Sequence, residues 1–490
     1  MKLKDLLKDV PFVRLSGNKN EDIQGISYSS KKVGPGYLFT ALKGEKTDGH
    51  IFIQEALQNG AAGVLSEQER PENFPKIWIQ VHDARNALAL CSVNFYKHPS
   101  EKLKIVGITG TKGKTTISYV LEEIIRKAGL RPGIIGTISY RWQHKEIKAE
   151  RTTPEASDLQ GMLRKMADQG VTHCLMEVSS HSLELNRVTG IKFDVAIFSN
   201  LSGEHLDYHK SMGHYFEAKK KLFFSEKPGQ IVIINADDPW GKRLLDELSS
   251  EAISYGLSRT ATVYAENFSF KENGIQAVIK YPAGQMAISS PLIGKPNLYN
   301  ILAAASAAFI LNIPQKAILE GIKSLRGIPG RFEKIENPFG LHIFVDYAHT
   351  DDALKNLLET ARELCKKRVI LVFGAGGDRD KAKRPRMGEV AGSLSDWTIL
   401  TSDNPRSEDP MAIISDIEKG MKKTGTKNYE ILPDRKQAIK KALLLAKKGD
   451  YVLIAGKGHE GYQIIKNKVT PFNDAEIIRE YLKEMEGQIG

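Results

Sequence analysis

Apolar residues recur along this chain in blocks whose period changes. Short apolar runs at residues 103–108, 174–178, 194–198, 231–234, 343–345 and 369–373 have the length of buried strands. Between them the spacing shifts to three and four. Ile117, Val120, Leu121, Ile124, Ile125 and Ala128 share one helical face, and Gly129 supplies a stop. Strand and helix patterns alternate from residue 103 onward, which predicts an α/β protein built on parallel sheets. Before that, shorter runs, the Gly34-Pro35-Gly36 turn and a helical stretch at 52–59 predict a separate N-terminal domain. Turn formers in Arg326-Gly-Ile-Pro-Gly330 mark a second boundary. The expected domains are residues 1–100, 101–328 and 329–490.

The segment Gly107-Ile108-Thr109-Gly110-Thr111-Lys112-Gly113-Lys114-Thr115-Thr116 lies between the first apolar run and the first helical pattern. Glycines in such a turn let backbone N–H groups close around phosphate oxygens, and the helix N-terminus adds a positive dipole end. Lys114 can reach the outer phosphates and Thr115 can hold magnesium. The strict pattern places a glycine where this chain has Ile108, so the loop is a loose version of it. Gly110, Thr111, Lys112, Gly113, Lys114, Thr115 and Thr116 are the expected contacts of a nucleoside triphosphate.

A length of 490 residues fits about three domains. Seventy Lys and Arg against 59 Asp and Glu give a net charge of +11, which suits anionic partners. The basic clusters Lys219-Lys220-Lys221, Lys366-Lys367-Arg368 and Lys447-Lys448 are short and scattered, without interleaved aromatics, so they read as solvated surface and nucleic acid is not expected. Cys91, Cys174 and Cys365 are far apart in apolar surroundings, which predicts core packing and neither disulfides nor zinc. The longest apolar stretch, 301–311, is too short to span a bilayer, and the N-terminus lacks a signal-peptide pattern. A cytoplasmic monomer acting on small molecules is expected.

Two polar clusters follow strands beside the phosphate loop: Glu177-Val-Ser-Ser-His181 and Asn200-Leu-Ser-Gly-Glu-His205-Leu-Asp-Tyr-His209. Glu177 and His205 are the metal candidates there, although magnesium ordinarily prefers oxygen. In the last third, strand-like runs end in Asp346-Tyr-Ala-His349, Gly374-Ala-Gly-Gly-Asp-Arg379, Ser402-Asp-Asn-Pro-Arg406 and Gly456-Lys-Gly-His-Glu460. Ligands of open α/β sheets bind beyond the carboxyl ends of strands, so these clusters are expected to share one crevice.

Together with Thr152-Thr-Pro154, Gly294-Lys-Pro-Asn297 and Gly330-Arg331, these motifs appear in an order that resembles the Mur ligases, ATP-dependent enzymes that add amino acids to the peptidoglycan precursor. The resemblance covers residues 29–460. It implies a central phosphate-loop ATP-binding α/β domain flanked by a small N-terminal α/β domain for the UDP end of the substrate and a C-terminal Rossmann-like domain for the amino acid. Ser30 and the region up to Asp48-Gly49-His50 would hold the UDP end, and Thr152, Thr153, Ser179 and Arg187 the sugar-peptide. Turn and cap chemistry is the ordinary reading of the last four. Leu185 stands where relatives often carry glutamine, and Asp351 where they commonly carry proline. By the same resemblance Asn297 lies near adenine, Arg331 reaches the phosphates and Asp346 bonds the ribose; read from its neighbours alone, Asn297 is a helix cap before residues 298–311. Lys219 matches a lysine that is carbamylated by CO2 to make an anionic ligand for a second magnesium. Its immediate neighbours instead suggest a solvated basic run. The implied catalytic set is Lys114, Glu177, His205 and Lys219.

Asp403-Asn404-Pro405-Arg406 matches the recognition motif of the members that add 2,6-diaminopimelate. This substrate is lysine with a second carboxylate at its far end, and the planar fork of Arg406 suits that group. Arg379, Gly456 and Glu460 match further contacts, with Glu460 suited to the ammonium; a surface ion-pair cluster is the ordinary reading of Arg379. The reaction implied is amide formation between meso-diaminopimelate and the D-glutamate of UDP-N-acetylmuramoyl-L-alanyl-D-glutamate, through an acyl phosphate. The alternatives are the same ligase using L-lysine, a folylpolyglutamate synthase-like ligase, and a phosphate-loop NTPase that switches conformation.

Overall fold

The computed structural model describes residues 1–44, 47–204, 206–224, 229–248, 252–466 and 468–489. They form two compact units. The first comprises Met1–Leu201, Ser211–Tyr264 and Asn300–Gly321, and the second Ser202–Lys210, Ala265–Tyr299 and Ile322–Gly490.

Two sheets build the first unit. In the N-terminal one, Gly25–Ser27, Tyr37–Thr40, Gly63–Ser66 and Ile77–Gln80 pair in parallel in that order, and Arg14–Ser16 closes the edge antiparallel to Ile77–Gln80. The helical stretch expected at 52–59 is a 3-10 turn, Gly49–Phe52, leading into the helix Ile53–Gln58. The second sheet carries β1 (Lys104–Thr109), β2 (Pro132–Ile135), β3 (His173–Glu177), β4 (Val195–Phe198), β5 (Ile231–Asn235) and β6 (Ala252–Gly256) in the spatial order β6-β5-β4-β1-β3-β2, all parallel. β1 thus sits between β3 and β4, with Ile108 beside Glu177 and Thr109 beside Phe198. An antiparallel pair, Ser139–Trp142 and Lys145–Lys148, extends the sheet past β2.

Helix α1 (Lys114–Lys127) follows β1 directly. Its stripe Ile117, Val120, Leu121, Ile124 and Ile125 is wholly buried, while Ala128 is half-buried beyond its end and Gly129 takes the left-handed φ of +74° that stops it.

The second unit holds β7 (His342–Asp346), β8 (Val369–Phe373), β9 (Trp397–Leu400) and β10 (Tyr451–Ala455) in the parallel order β7-β10-β8-β9. β8 and β10 are buried along their whole length, as a sheet covered on both faces requires. Alternate residues feed two cores: Leu371, Phe373 and Leu453 one, Ile370, Val372, Val452 and Ile454 the other. Helix α2 (Asp351–Leu364) starts on Thr350, whose Oγ1 accepts from the Ala353 N–H at 3.2 Å, and Asp351 joins its first turn, so losing a proline there leaves the helix start intact. A ribbon of β11 (Tyr462–Ile465) and β12 (Lys468–Pro471) follows β10.

Cys91 and Cys174 are core residues as expected, but Cys365 is only half-buried, with Sγ 3.5 Å from the Arg368 carbonyl oxygen; all three thiols are free. Among the described residues no helix is long and apolar enough to cross a membrane.

Helices α3 (Arg435–Leu445) and α4 (Asp474–Ile489) are tied to the end of β10 by a buried ion pair. Arg435 Nε and Nη2 donate to the two Asp474 carboxylate oxygens at 2.8 and 2.7 Å, and Nη2 also donates to the Ala455 carbonyl at 2.9 Å. Both side chains are fully buried, so removing one strands the other's charge. Asp474→Ala should cost about 3–5 kcal/mol in chemical denaturation, and Arg435→Met with Asp474→Leu should recover most of it.

Candidate functional site

The turn after β1 is shaped by glycine. Gly110 and Gly113 take φ of +143° and +89°, and a Cβ on Gly113 would stand 2.3 Å from Asn300 Oδ1. The turn is laced to the end of β4: Thr111 N–H donates to the Asn200 carbonyl at 2.9 Å, Lys112 N–H to Asn200 Oδ1 at 2.9 Å, and Ser199 Oγ to the Lys112 carbonyl at 2.6 Å. Lys114 Nζ folds back onto the carbonyls of Gly110 and Thr111, at 2.9 and 3.0 Å. Thr115 and Thr116 are buried in the first turn of α1.

Lys219 converges on the same place. It lies in the helix Met212–Lys220, is 1% exposed, and donates to the Gly110 carbonyl at 2.9 Å while its ammonium sits 4.6 Å from the Tyr215 ring centroid. The solvated basic run suggested by its neighbours is therefore wrong for Lys219. Successive helix positions point about 100° apart, and Lys221 alone of the three is well exposed.

Glu177, 1% exposed at the end of β3, gathers oxygens. Its Oε2 accepts from Thr115 Oγ1 at 3.1 Å and Thr137 Oγ1 at 2.8 Å, and its Oε1 from Thr137 N–H at 3.1 Å. Oxygen donors beside a phosphate loop match magnesium chemistry, so Thr115 and Glu177 fit that ion. His205 lies outside the described residues, and no group of three or more His, Cys, Asp or Glu able to hold a metal occurs among those described. Thr137 was not singled out in the sequence; Gly136-Thr137 at the end of β2 is the strand-end signal that would have found it.

Next to Glu177 lie the sugar-peptide candidates. Thr137 Oγ1 meets Thr152 Oγ1 at 3.1 Å, and Thr153 Oγ1 donates to the Glu177 carbonyl at 2.8 Å and accepts from Ser179 N–H at 3.2 Å. Ser179 caps the helix Ser180–Glu184 through the Ser182 N–H, so the ordinary cap reading holds for its hydroxyl. Arg187 Nη2 pairs with Glu155 Oε1 at 2.7 Å; burial lowers its pKa, opposed by Glu155. Ser30 is in the N-terminal sheet region, where its Oγ donates to Glu55 Oε2 at 2.7 Å, and the His50 ring bridges Asp48 and Ser66.

In the second unit the four polar clusters do meet. Gly456 N–H donates to the Asp346 carbonyl at 3.0 Å, the Tyr347 and His459 rings pack 5.0 Å apart, Arg406 Nη1 donates to the Gly377 carbonyl at 2.7 Å, and Asn404 Nδ2 to Glu460 Oε2 at 2.7 Å. Gly456, at φ +114°, leaves room for Asp403, whose Oδ2 would stand 2.6 Å from a Cβ there. Arg406 takes a left-handed φ of +53° and pairs like a strand residue, its N–H on the Ile464 carbonyl and its carbonyl on the Lys466 N–H. Arg379 is exposed on the Gly376–Gly377 turn and donates to its neighbour Asp378. Asp346 accepts from Phe332 and Ala348 N–H groups; burial raises its pKa, opposed by Arg331. Asn297 is not the cap expected from its neighbours. It lies within the first turn of Lys295–Ile310 and its Nδ2 donates back to the Ile293 carbonyl at 2.8 Å.

Comparison with known proteins gives concordant results. Residues 22–96 match the Mur ligase family catalytic domain, 108–308 the Mur ligase middle domain, and 330–458 the Mur ligase glutamate ligase domain. A UDP-N-acetylmuramoyl-L-alanyl-D-glutamate--2,6-diaminopimelate ligase of Caldanaerobacter subterraneus subsp. tengcongensis is 44% identical, over 99% of this chain and 100% of the relative. The protein of the same name from Alkaliphilus metalliredigens is 42% identical over 99% and 98%. A solved structure bearing that name superposes with a TM-score of 0.71 at 32% identity, covering 99% of each chain.

Arg331 and His459 both pack against Tyr347 in the second-unit strand-end cluster. The guanidinium lies 4.9 Å from the Tyr347 ring centroid, and burial, with Arg331 and His349 nearby, pushes the His459 pKa down to about 3. An imidazole neutral in the folded state and ionisable near 6.5 when unfolded leaves the unfolded chain binding more protons between those values, so stability falls as pH drops through that window. The His459 ring resonances should not titrate between about pH 5 and 8. His459→Gln should flatten the loss of stability below about pH 6.5, followed by denaturation at a series of pH values.

Proposed function

The chain belongs to the Mur ligase family, and from that membership we propose that it joins meso-diaminopimelate to the D-glutamate carboxylate of UDP-N-acetylmuramoyl-L-alanyl-D-glutamate at the expense of ATP, a cytoplasmic step of peptidoglycan precursor synthesis. The observation that carries this reading is the Asp403-Asn404-Pro405-Arg406 turn set against Glu460. Arg406 presents a guanidinium for the distal carboxylate and Glu460 a carboxylate for the ammonium. L-Lysine would leave Arg406 without its partner, a loss of roughly 1–3 kcal/mol or more. Discrimination of about 10⁴-fold is within reach of a site built around a group the competitor lacks.

The chemistry follows from the poor leaving group of a carboxylate. An oxygen of the D-glutamate carboxylate attacks the γ-phosphorus of ATP and ADP departs, leaving an acyl phosphate. The free amine of diaminopimelate then attacks the acyl carbon, expels phosphate and loses a proton as the amide forms. In this reading the backbone of residues 110–116 cradles the phosphates, and Lys114 leaves the carbonyls of Gly110 and Thr111 to follow the transferring group. Thr115, Glu177 and His205 would hold magnesium, which would supply charge neutralisation on the phosphates. Asn297, Arg331 and Asp346 serve the nucleotide; Ser30, Thr152, Thr153, Ser179 and Arg187 serve the UDP-linked peptide; Arg379, Asp403, Asn404, Pro405, Arg406, Gly456 and Glu460 serve the amino acid. We assign ATP binding mainly to the domain at 101–328, the UDP end of the substrate to 1–100 and the incoming amino acid to 329–490.

Lys219 is assigned a carbamate. Burial against Tyr215 beside the phosphate loop supports the assignment, since a carbamate retains an N–H for the Gly110 carbonyl while turning the cation into a metal-binding anion.

A coupled phosphate assay with UDP-linked dipeptide and a panel of diaminopimelate, L-lysine and ornithine tests the reaction. Phosphate should appear only with dipeptide and diaminopimelate both present; release without them would favour a switch NTPase, and equal release with L-lysine would overturn the substrate. Lys219→Ala should abolish turnover, and added short carboxylic acids should restore part of it; absence of any rescue would count against the carbamate.

A further inference from the structure

The Gly456-Lys-Gly-His-Glu460 turn contains a cation to which none of the tasks above is given. Lys457 is 0% exposed, although lysine is almost never fully buried without partners. Its Nζ donates to the Tyr462 carbonyl at 2.5 Å, to Asn404 Oδ1 at 3.3 Å and to Glu460 Oε2 at 3.3 Å, and stands 4.0 Å from Asp403 Oδ1. Three of these four partners belong to the amino-acid pocket.

The arrangement has two consequences. Asn404 Oδ1 receives both Lys457 Nζ and the Ile464 N–H, which fixes the amide so that Nδ2 faces Glu460. Glu460 Oε2 is then occupied by Asn404 and Lys457, whereas Oε1 has no protein donor among the described residues. We propose that Lys457 is a positioning residue of the amino-acid pocket, holding Glu460 by one oxygen so that the other is presented to the ammonium of the incoming diamino acid. Lys457 also offsets part of the negative charge of the two clustered carboxylates, Asp403 and Glu460. This inference rests on the reading of the pocket given above.

A double-mutant cycle tests it, with KM for diaminopimelate and for ATP measured in Lys457→Met, Glu460→Gln, the double variant, Lys457→Arg and, as a control, Arg406→Ala. Lys457→Met should raise KM for diaminopimelate about ten- to hundredfold with KM for ATP unchanged, and Lys457→Arg should do less harm. The double variant should be no worse than Glu460→Gln alone, because Lys457 acts through Glu460. Folding of the double variant where Lys457→Met alone does not fold would support the same coupling. Additive effects, a parallel rise in KM for ATP, or failure of both Lys457→Met variants to fold would overturn the role. If Arg406→Ala leaves KM for diaminopimelate unaltered, the pocket reading itself fails; if Arg406→Ala raises it and Lys457→Met does not, only the present inference fails.

Discussion

Parallel strand pairing is the constraint on which both chemical centres depend. Parallel neighbours all finish on the same edge, so turns far apart in sequence are delivered side by side. In the second unit this brings Asp346, Gly377, Asn404 and Gly456, spread over more than a hundred residues, into one hydrogen-bonded group. In the first unit it places the turn after β1 between Glu177 and Asn200. The sheet register places the backbone turns of both centres.

The first centre concentrates cations on a backbone acceptor. Lys114 and Lys219 both donate to the Gly110 carbonyl, one from the first turn of α1 and one from a helix more than a hundred residues later. A carbonyl has two lone pairs, so it can take both, but two ammoniums on one neutral oxygen remain mutually repulsive. Such a pair is suited to a strongly anionic ligand and to the conversion of one of the amines into an anion.

Much of this was legible in the sequence because its signal is local. The phosphate loop, α1 with its stripe from Ile117 to Ile125, and strands such as β8 could be read from short apolar runs and spacing. What escaped depends on partners remote in the chain. Lys219 looks like its basic neighbours until the i, i+4 relation to Tyr215 is seen on the buried face. Asn297 has the composition of a cap, yet the helix begins two residues earlier and its amide turns back to Ile293. The antiparallel pair at Ser139–Trp142 and Lys145–Lys148 is partly exposed and lacks the continuous apolar run that marks the parallel strands. Lys457 gave no sign of burial, since nothing nearby in sequence announces Asn404 or Asp403.

Arg406 is bracketed by Ile464 and Lys466 through its main chain, and its left-handed backbone is held there by the β11–β12 ribbon. The guanidinium is therefore aimed in part by a neighbouring segment that grips the main chain of Arg406. For protein engineering this makes the transplantable module larger than one side chain: altering amino-acid preference by grafting a foreign tetrapeptide at 403–406 would misdirect its last residue unless the ribbon travelled with it, and divergence in specificity would leave its trace in both segments together.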